Sequence, residues 1–337
     1  RLSLVGSEMC IRDSDIKYPD LMISILEYFW LEGDFNTKTV MGFCTQNKHN
    51  TEGHFLQPQI ILKICDILMD NNILSLNRRG GALGGDTCYS FVWRDSKEKW
   101  EEYKSEFNHI CSSLVYGFEY IYRYYSDKVI PIVAYMEDDT QAMGSAFKFY
   151  KGIVTARHCV EDGVQFAIKG YSKQQLDNGK VYVSKNPAID IAYIDLGIVS
   201  HTHFEKPKIL DDVLVMGYPK IPLFLDFLTA EKAAISTIAK LRMTPTKGAI
   251  TAIAPNIYTY KDTDLLLITA RIKGGNSGGP IINNRGCVVG VAFSQPYSEG
   301  DGYDDLGYGI GMPITVLNNI LAEQHTITPI FREWIEE

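Results

Sequence analysis

Three short segments of this sequence carry residue types that could cooperate in nucleophilic catalysis. They hold His158 in TARHC, Asp190 in DIAYI and Ser277 in GNSGGP. A serine hydroxyl becomes an effective nucleophile when a neutral imidazole takes its proton, and a carboxylate can hold that imidazole in the useful tautomer. The segments therefore predict acyl-transfer chemistry in which Ser277 attacks, His158 moves the proton and Asp190 orients the imidazole.

The glycines around Ser277 predict a second part of such a site. They allow a tight backbone turn in which the amides of Gly275 and Ser277 point at one spot. Such a pair of donors stabilises the oxyanion of a tetrahedral intermediate, and the loss of one donor typically costs about 10²–10³ in rate. We therefore expect the Gly275 and Ser277 amides to form an oxyanion hole.

Nearby residues and the serine motif itself also allow other interpretations. Asp195 ends an apolar run and fits a turn, and Asp162 follows the histidine too closely to return to it. The GxSxG pattern at Ser277 also matches the nucleophile elbow of α/β-hydrolases, but that fold needs a helix after the serine. Here a strand-like segment and a turn follow. Two further imidazoles, His201 and His203, lack a third ligand cluster, which favours a solvated loop over a metal site.

The elements that must position these residues change character along the chain. From residue 128 onward, short β-branched runs alternate with Gly, Pro, Asn and Asp, which is typical of an all-β sandwich or barrel. We assign residues 128–325 to this β domain, with a closing helix near Ile314–Gln324. Residues 326–337 are assigned to a C-terminal tail.

The motifs resemble those of trypsin-like serine peptidases. TARHC is similar to the family's TAAHC, DIAYI to its D-[IL]-A motif, and GNSGGP to its serine motif, closest to the bacterial HtrA/Deg-type proteases. Three flanking segments agree, namely Gly144–Phe147, Gly217–Pro219 and Tyr308–Pro313. The resemblance covers Val129–Gln324 and implies a chymotrypsin-fold double β-barrel, a serine endopeptidase acting on protein or peptide substrates without a metal or organic cofactor.

The resemblance also implies where a substrate would bind. Phe293, Ser294 and Gln295, which follow a predicted strand, would lie beside the substrate as an added β-strand. Arg271 precedes Ser277 by six residues, near the floor of the specificity pocket. One hypothesis is that Arg271 favours an acidic or polar residue before the cut, and the alternative is that it points to solvent.

Four departures from the family bear on compartment and regulation. By resemblance, the usual disulfide partner of Cys159 would be position 143, which is methionine, so that bridge is absent. Scattered cysteines of this kind favour a reducing compartment, and we expect a cytoplasmic protein. No activation-peptide motif precedes the β domain, Asn276 replaces the aspartate that would pair with a new terminus, and we expect no PDZ domain.

The region before the β domain is predicted to be mostly helical. Two amphipathic segments, Pro19–Trp30 and Gln57–Asn71, precede two short strand-like runs around a glycine-rich stretch. This order is typical of a winged-helix module, which we assign to residues 15–94. A helical connector, residues 95–127, follows and is expected to break near Gly117.

Charge argues against nucleic acid as the partner of this module. Between residues 15 and 127, 11 basic minus 16 acidic residues gives −5, and the whole chain carries −8. A DNA-reading helix normally presents basic and amide side chains, and only Arg78 and Arg79 fit that role. We expect a protein partner or a regulatory role, with DNA binding by a protease-linked transcription regulator as the alternative.

Two further features concern the ends of the chain and membranes. Residues 4–14 look like a translated sequencing adapter, so residues 1–14 are set aside, the alternative being a disordered native start. The true N-terminus is then expected to be missing. No run of eighteen apolar residues predicts a membrane span.

Overall fold

A computed structural model describes residues 20–30, 38–47, 56–81, 83–138, 140–219, 242–255, 264–293 and 308–335. The chain divides into two compact units, Arg1–Tyr120 and Ile121–Glu337. Within the described ranges, no helix is both long and apolar enough to cross a membrane.

The first unit contains helices and one small antiparallel hairpin. Its helices are α1 (Leu21–Tyr28), α2 (Val40–Gln46), α3 (Pro58–Asp70) and the start of α4 (Lys97–Tyr125). The hairpin pairs β1 (Ser75–Arg78) with β2 (Cys88–Ser90), and Thr39 adds an antiparallel bridge to Cys88. The two predicted amphipathic helices are therefore confirmed, each shorter than its predicted span.

Apolar side chains at helical spacing form the core of this unit. Helix α3 buries Ile61, Ile64, Cys65 and Leu68, which share one face because they lie three or four residues apart. Helix α4 is interrupted at Gly117, whose φ of 69° is not helical. The expected break near Gly117 is confirmed, and glycine permits it because it has no Cβ to clash in the left-handed region.

The second unit begins with a seven-stranded antiparallel sheet in the order β15-β7-β8-β5-β4-β3-β6. Its strands are β3 (Val129–Tyr135), β4 (Gln141–Phe149), β5 (Gly152–Thr155), β6 (Gln165–Ile168), β7 (Lys180–Val183), β8 (Ala192–Asp195) and β15 (Thr326–Ile327). Two short helices, α5 (His158–Glu161) and α6 (Lys173–Asp177), lie between them.

The C-terminal segment connects the two edges of this sheet. Strand β15 pairs with β7, and the backbone of Phe166 in β6 then bonds to Ile330 and Arg332, each at 2.9 Å. Phe331 between them is 3% exposed and belongs to the core of this barrel. Residues 326–332 thus complete the first barrel, whereas the sequence analysis assigned them to a separate tail.

The second barrel is closed, with strand order β10-β11-β14-β13-β12-β9. Its strands are β9 (Asp212–Gly217), β10 (Thr244–Pro255), β11 (Asp264–Ile268), β12 (Pro280–Asn283), β13 (Val288–Phe293) and β14 (Gly309–Pro313). Helix α7 (Val316–Glu323) follows, near the predicted closing helix. All six residues of β13 are buried, which explains its continuous apolar sequence.

Candidate active site

A cavity of about 520 Å³ is lined by residues from both barrels. The first barrel contributes His158 and Asp190, and the second contributes Gly275, Ser277 and Phe293. Side chains predicted to act together, although separated by up to 119 positions, therefore meet at one concave surface.

Strand pairing explains why His158 and Asp190 meet. Strands β5 and β8 are antiparallel, and the last residue of β5, Thr155, pairs with the first residue of β8, Ala192. His158 leaves β5 and Asp190 enters β8 at this same end of the sheet. Asp190 consequently accepts hydrogen bonds from the His158 backbone amide, at 2.9 Å, and faces His158 Nδ1 at 2.7 Å.

The electrostatic surroundings favour the protonated form of His158. Burial of the ring is the largest influence and lowers its pKa. The hydrogen bond that His158 Nδ1–H donates to Asp190, together with the interactions with Asp190 and Cys159, outweighs burial, so the pKa of His158 is raised above its ordinary value. The same Asp190 contact places a proton on Nδ1 and leaves Nε2 for proton transfer.

The loop that carries Ser277 is shaped by two glycines in the left-handed region. The amide of Asn276 donates to the Lys273 carbonyl at 2.9 Å, which closes a turn with Gly275 (φ 96°) at its third position. Type II turns need positive φ at that position. Gly278 (φ 85°) is equally restricted, since an added Cβ would lie 2.1 Å from the Ser145 carbonyl oxygen.

This turn leaves one amide available at the cavity. Among the residues that the structure describes, the Gly275 amide donates to no group, while its carbonyl accepts from Ser145 Oγ at 2.7 Å. Gly275 and Ser277 both line the cavity. An unengaged backbone donor beside a serine is the arrangement that an oxyanion hole requires.

The predicted substrate-binding residues have different outcomes. Phe293 ends β13 and lines the cavity. Arg271 is exposed and is not among the cavity's lining residues. Its backbone carbonyl accepts a hydrogen bond from Thr246 Oγ1 at 3.0 Å. Ser294 and Gln295 lie outside the described residues.

The surroundings of Cys159 differ from the sequence expectation in one position. A Cβ added to Gly144 would lie 2.5 Å from Cys159 Sγ, so Gly144, rather than Met143, is the residue opposite this cysteine. Cys159 is a free thiol, in agreement with the expected absence of that disulfide.

Sequence reasoning assigned no separate role to Ser145. It appeared only as part of a turn motif, yet it contacts the Ser277 loop directly, through its hydroxyl group and its amide. Ser145 directly follows Gly144, which lies opposite Cys159 and so close to His158. This position in the sequence could have marked Ser145 as a residue near the site.

Two β-barrels with a His–Asp pair on one and a glycine-rich serine loop on the other are the architecture of trypsin-like peptidases. Residues 144–291 match the family model described as the trypsin-like peptidase domain. This region is therefore similar to a trypsin-like peptidase domain, and the relatives that match it include HtrA/Deg-type serine proteases.

The relatives that align with this chain are much longer than the aligned region. The Arabidopsis thaliana protein "Protease Do-like 2, chloroplastic" is 32% identical over 193 residues, which cover 53% of this chain and 28% of the relative. A "Probable periplasmic serine endoprotease DegP-like" of Buchnera aphidicola is 29% identical over 178 residues, covering 51% and 33%. This chain thus spans about a third or less of the length of these relatives.

A similar solved structure is the Rv3671c protease from M. tuberculosis in its active form. It is 22% identical in sequence, with a TM-score of 0.43, and the alignment covers 62% of this chain and 86% of that one.

Proposed function

We propose that this chain is a serine endopeptidase that hydrolyses peptide bonds with Ser277, His158 and Asp190. In the first half-reaction, Ser277 Oγ bonds to the substrate carbonyl carbon and passes its proton to His158. The Gly275 and Ser277 amides stabilise the oxyanion. His158 then protonates the leaving nitrogen, the C–N bond breaks, and an acyl-enzyme remains.

The second half-reaction repeats these roles with water. His158 takes a proton from water, whose oxygen bonds to the acyl carbon. Collapse of this intermediate returns the proton to Ser277 Oγ and releases the carboxylic acid product. Every proton is accounted for by groups of the chain and water, so the mechanism calls for no metal or organic cofactor.

The strongest support for this proposal is the contact between Asp190 and His158. The Asp190 carboxylate lies 2.7 Å from His158 Nδ1, and both residues line the cavity that also holds Ser277. A carboxylate at this distance fixes the imidazole tautomer that general-base catalysis needs.

A fluorophosphonate probe tests the assignment directly. The probe should label the full-length protein on Ser277, as mapped by peptide mass spectrometry, and Ser277→Ala should abolish both labelling and peptide hydrolysis. Ser172→Ala, which removes an exposed helix-capping hydroxyl, is the matched control and should keep both activities. Labelling at another residue, or a wild-type protein that neither labels nor hydrolyses peptides, would favour the alternative of a non-catalytic protein-binding module.

Substrate binding is proposed to use the end of β13. Phe293 at the cavity supports an extended substrate that lies alongside this segment as an added β-strand. Ser294 and Gln295, outside the described residues, are proposed to take part in the same pairing. The exposed side chain of Arg271 is compatible with both interpretations of this residue. It could point to solvent, or it could favour an acidic or polar residue before the cut. Profiling with a peptide library separates the two, because cleavage after Lys or Arg excludes the acidic preference.

Residues 15–94, within the first unit, are proposed to form a winged-helix-like module that regulates the peptidase by binding a protein partner. The order α1, bridge at Thr39, α2, α3, β1, β2 supports this architecture. Arg79 near the hairpin is paired with Asp66 at 2.8 Å, which reduces its value for phosphate contacts. This pairing and the charge of −5 between residues 15 and 127 support a protein partner over DNA.

The alternative for this unit is a transcription regulator linked to a protease. A gel-shift assay with the full chain carrying Ser277→Ala separates the two without proteolysis of other components. Binding to duplex DNA that weakens steeply with added salt would support the regulator.

A reducing, cytoplasmic location also stays a proposal, supported by the free, buried cysteines of the described residues.

A further inference from the structure

Ser145 makes an unusual set of contacts between the two barrels. It lies in β4 of the first barrel and is 0% exposed. Its hydroxyl donates to the Gly275 carbonyl at 2.7 Å, and its backbone amide donates to the Ser277 carbonyl at 2.7 Å. One residue of the first barrel therefore holds two carbonyls of the loop that carries the nucleophile.

The orientation of the Ser145 hydroxyl is fixed by its other partners. The Tyr218 amide, just after β9, donates to Ser145 Oγ at 2.9 Å. Because an amide can only donate, the hydroxyl oxygen is the acceptor there, and its own hydrogen is directed to Gly275. Thr155 Oγ1 donates to the Ser145 carbonyl at 2.8 Å, which ties this residue to the strand that leads to His158.

These two contacts lie on either side of the peptide whose amide would stabilise an oxyanion. The Gly275 and Ser277 carbonyls are both held, and the peptide that carries the Ser277 amide lies between them. The Asn276 side chain does not take over this task, since its buried Oδ1 accepts no hydrogen bond from the described residues. The loop is thus held by its own turn, by the Gly278–Ala292 bond within its barrel and by these contacts with the other barrel.

We propose that Ser145 is a positioning residue that holds the Gly275–Ser277 segment in the conformation in which its amides serve the oxyanion. The inference rests on the proposed peptidase function. Ser145 touches neither substrate nor the reacting atoms and acts through Gly275 and Ser277. Its loss should let the segment relax, and a shift of about 1 Å in such a site can cost about 10² in rate.

Ser145→Ala in the full chain tests this inference through steady-state peptide hydrolysis. We expect kcat to fall by about 10- to 100-fold, with KM within about 3-fold of the wild type, because the lost interaction acts in the transition state. The acid limb of the pH profile should keep its position, since the His158–Asp190 contact is untouched. A general loss of folding would instead lower the active fraction, so active sites are counted by titration with the fluorophosphonate.

Two further variants make the result decisive. Ser113→Ala removes a fully buried serine hydroxyl in the first unit, which donates to the His109 carbonyl at 2.8 Å, and should leave kcat unchanged. Ser145→Cys keeps the shape of the side chain with a slightly larger atom, but its thiol is a weak donor, so it should show the same fall in kcat even where Ser145→Ala does not fold.

The outcomes separate this inference from the proposed function. Wild-type kcat in both folded Ser145 variants, with Ser277→Ala inactive, overturns the positioning role and leaves the peptidase assignment intact. A wild-type protein without hydrolysis overturns both.

Discussion

Both carboxylate oxygens of Asp190 are engaged by a single residue, His158. Oδ1 accepts from the His158 backbone amide at 2.9 Å, and Oδ2 lies 2.7 Å from the ring nitrogen Nδ1. The ring is therefore held relative to its own backbone, which leaves little freedom at either side-chain torsion. Orientation of the imidazole is built into the end of the first barrel before any substrate arrives.

The raised pKa of His158 predicts the pH dependence of catalysis. General-base catalysis needs the neutral ring, so kcat/KM should rise with pH as His158 loses its proton, with an acid limb centred above pH 6.5. Asp190→Asn removes the main contribution that raises this pKa and leaves burial to lower it. In this variant the limb should move to lower pH, while kcat falls by about 10⁴ because the tautomer is no longer fixed.

Stopped assays of a chromogenic peptide between pH 5 and 10 measure both profiles. An acid limb at the same pH in the wild type and in Asp190→Asn would show that Asp190 does not control the ionisation of His158.

Gly278 is predicted to be irreplaceable for the serine loop. Its φ of 85° is unfavourable for any other residue, and an added Cβ would lie 2.1 Å from the Ser145 carbonyl oxygen. Gly278→Ala should therefore reduce kcat/KM by at least about 10²-fold through displacement of the loop. Gly81→Ala in the first unit, where an added Cβ meets nothing within 4 Å, is the control and should behave as the wild type. Equal activity of the two variants would contradict the assigned loop geometry.

Phe331 is predicted to stabilise the first barrel from the C-terminal segment. Truncation of a fully buried phenylalanine typically lowers the free energy of unfolding by about 3–5 kcal/mol, because it removes apolar contacts and leaves a cavity. Phe331→Ala should show this loss in urea unfolding followed by circular dichroism. Its neighbour Ile330 is 60% exposed, and Ile330→Ala should change the free energy of unfolding by less than about 0.5 kcal/mol. Similar values for both variants would show that residues 326–332 do not close the barrel.

The buried cysteines are predicted to react slowly in the folded protein. Burial raises the pKa of Cys44 to about 11 and raises that of Cys65 as well. Since the thiolate is the reactive form, alkylation of Cys44 by iodoacetamide at pH 8 should be at least about 10²-fold slower in the native protein than in urea. Peptide mass spectrometry over time measures both rates, and rapid native alkylation of Cys44 would contradict its burial in the first unit.

Features that depend on local order could be predicted from the order of residues alone. Helices α1 and α3 follow from apolar residues at helical spacing, and the barrels follow from short β-branched runs between turn residues. The His158, Asp190 and Ser277 segments were identifiable because each is a contiguous run of residues whose types suit one task. Gly117 could be predicted as a helix break because its effect is confined to its own backbone.

The meeting of distant segments, by contrast, follows from the packing of the folded chain. The Ser145–Gly275 bond joins residues 130 positions apart, and residues 326–332 reach strands that precede them by about 150 positions. Strand register placed Gly144, rather than Met143, opposite Cys159. No local pattern specifies such pairings, because they depend on which strands lie side by side once both barrels have packed.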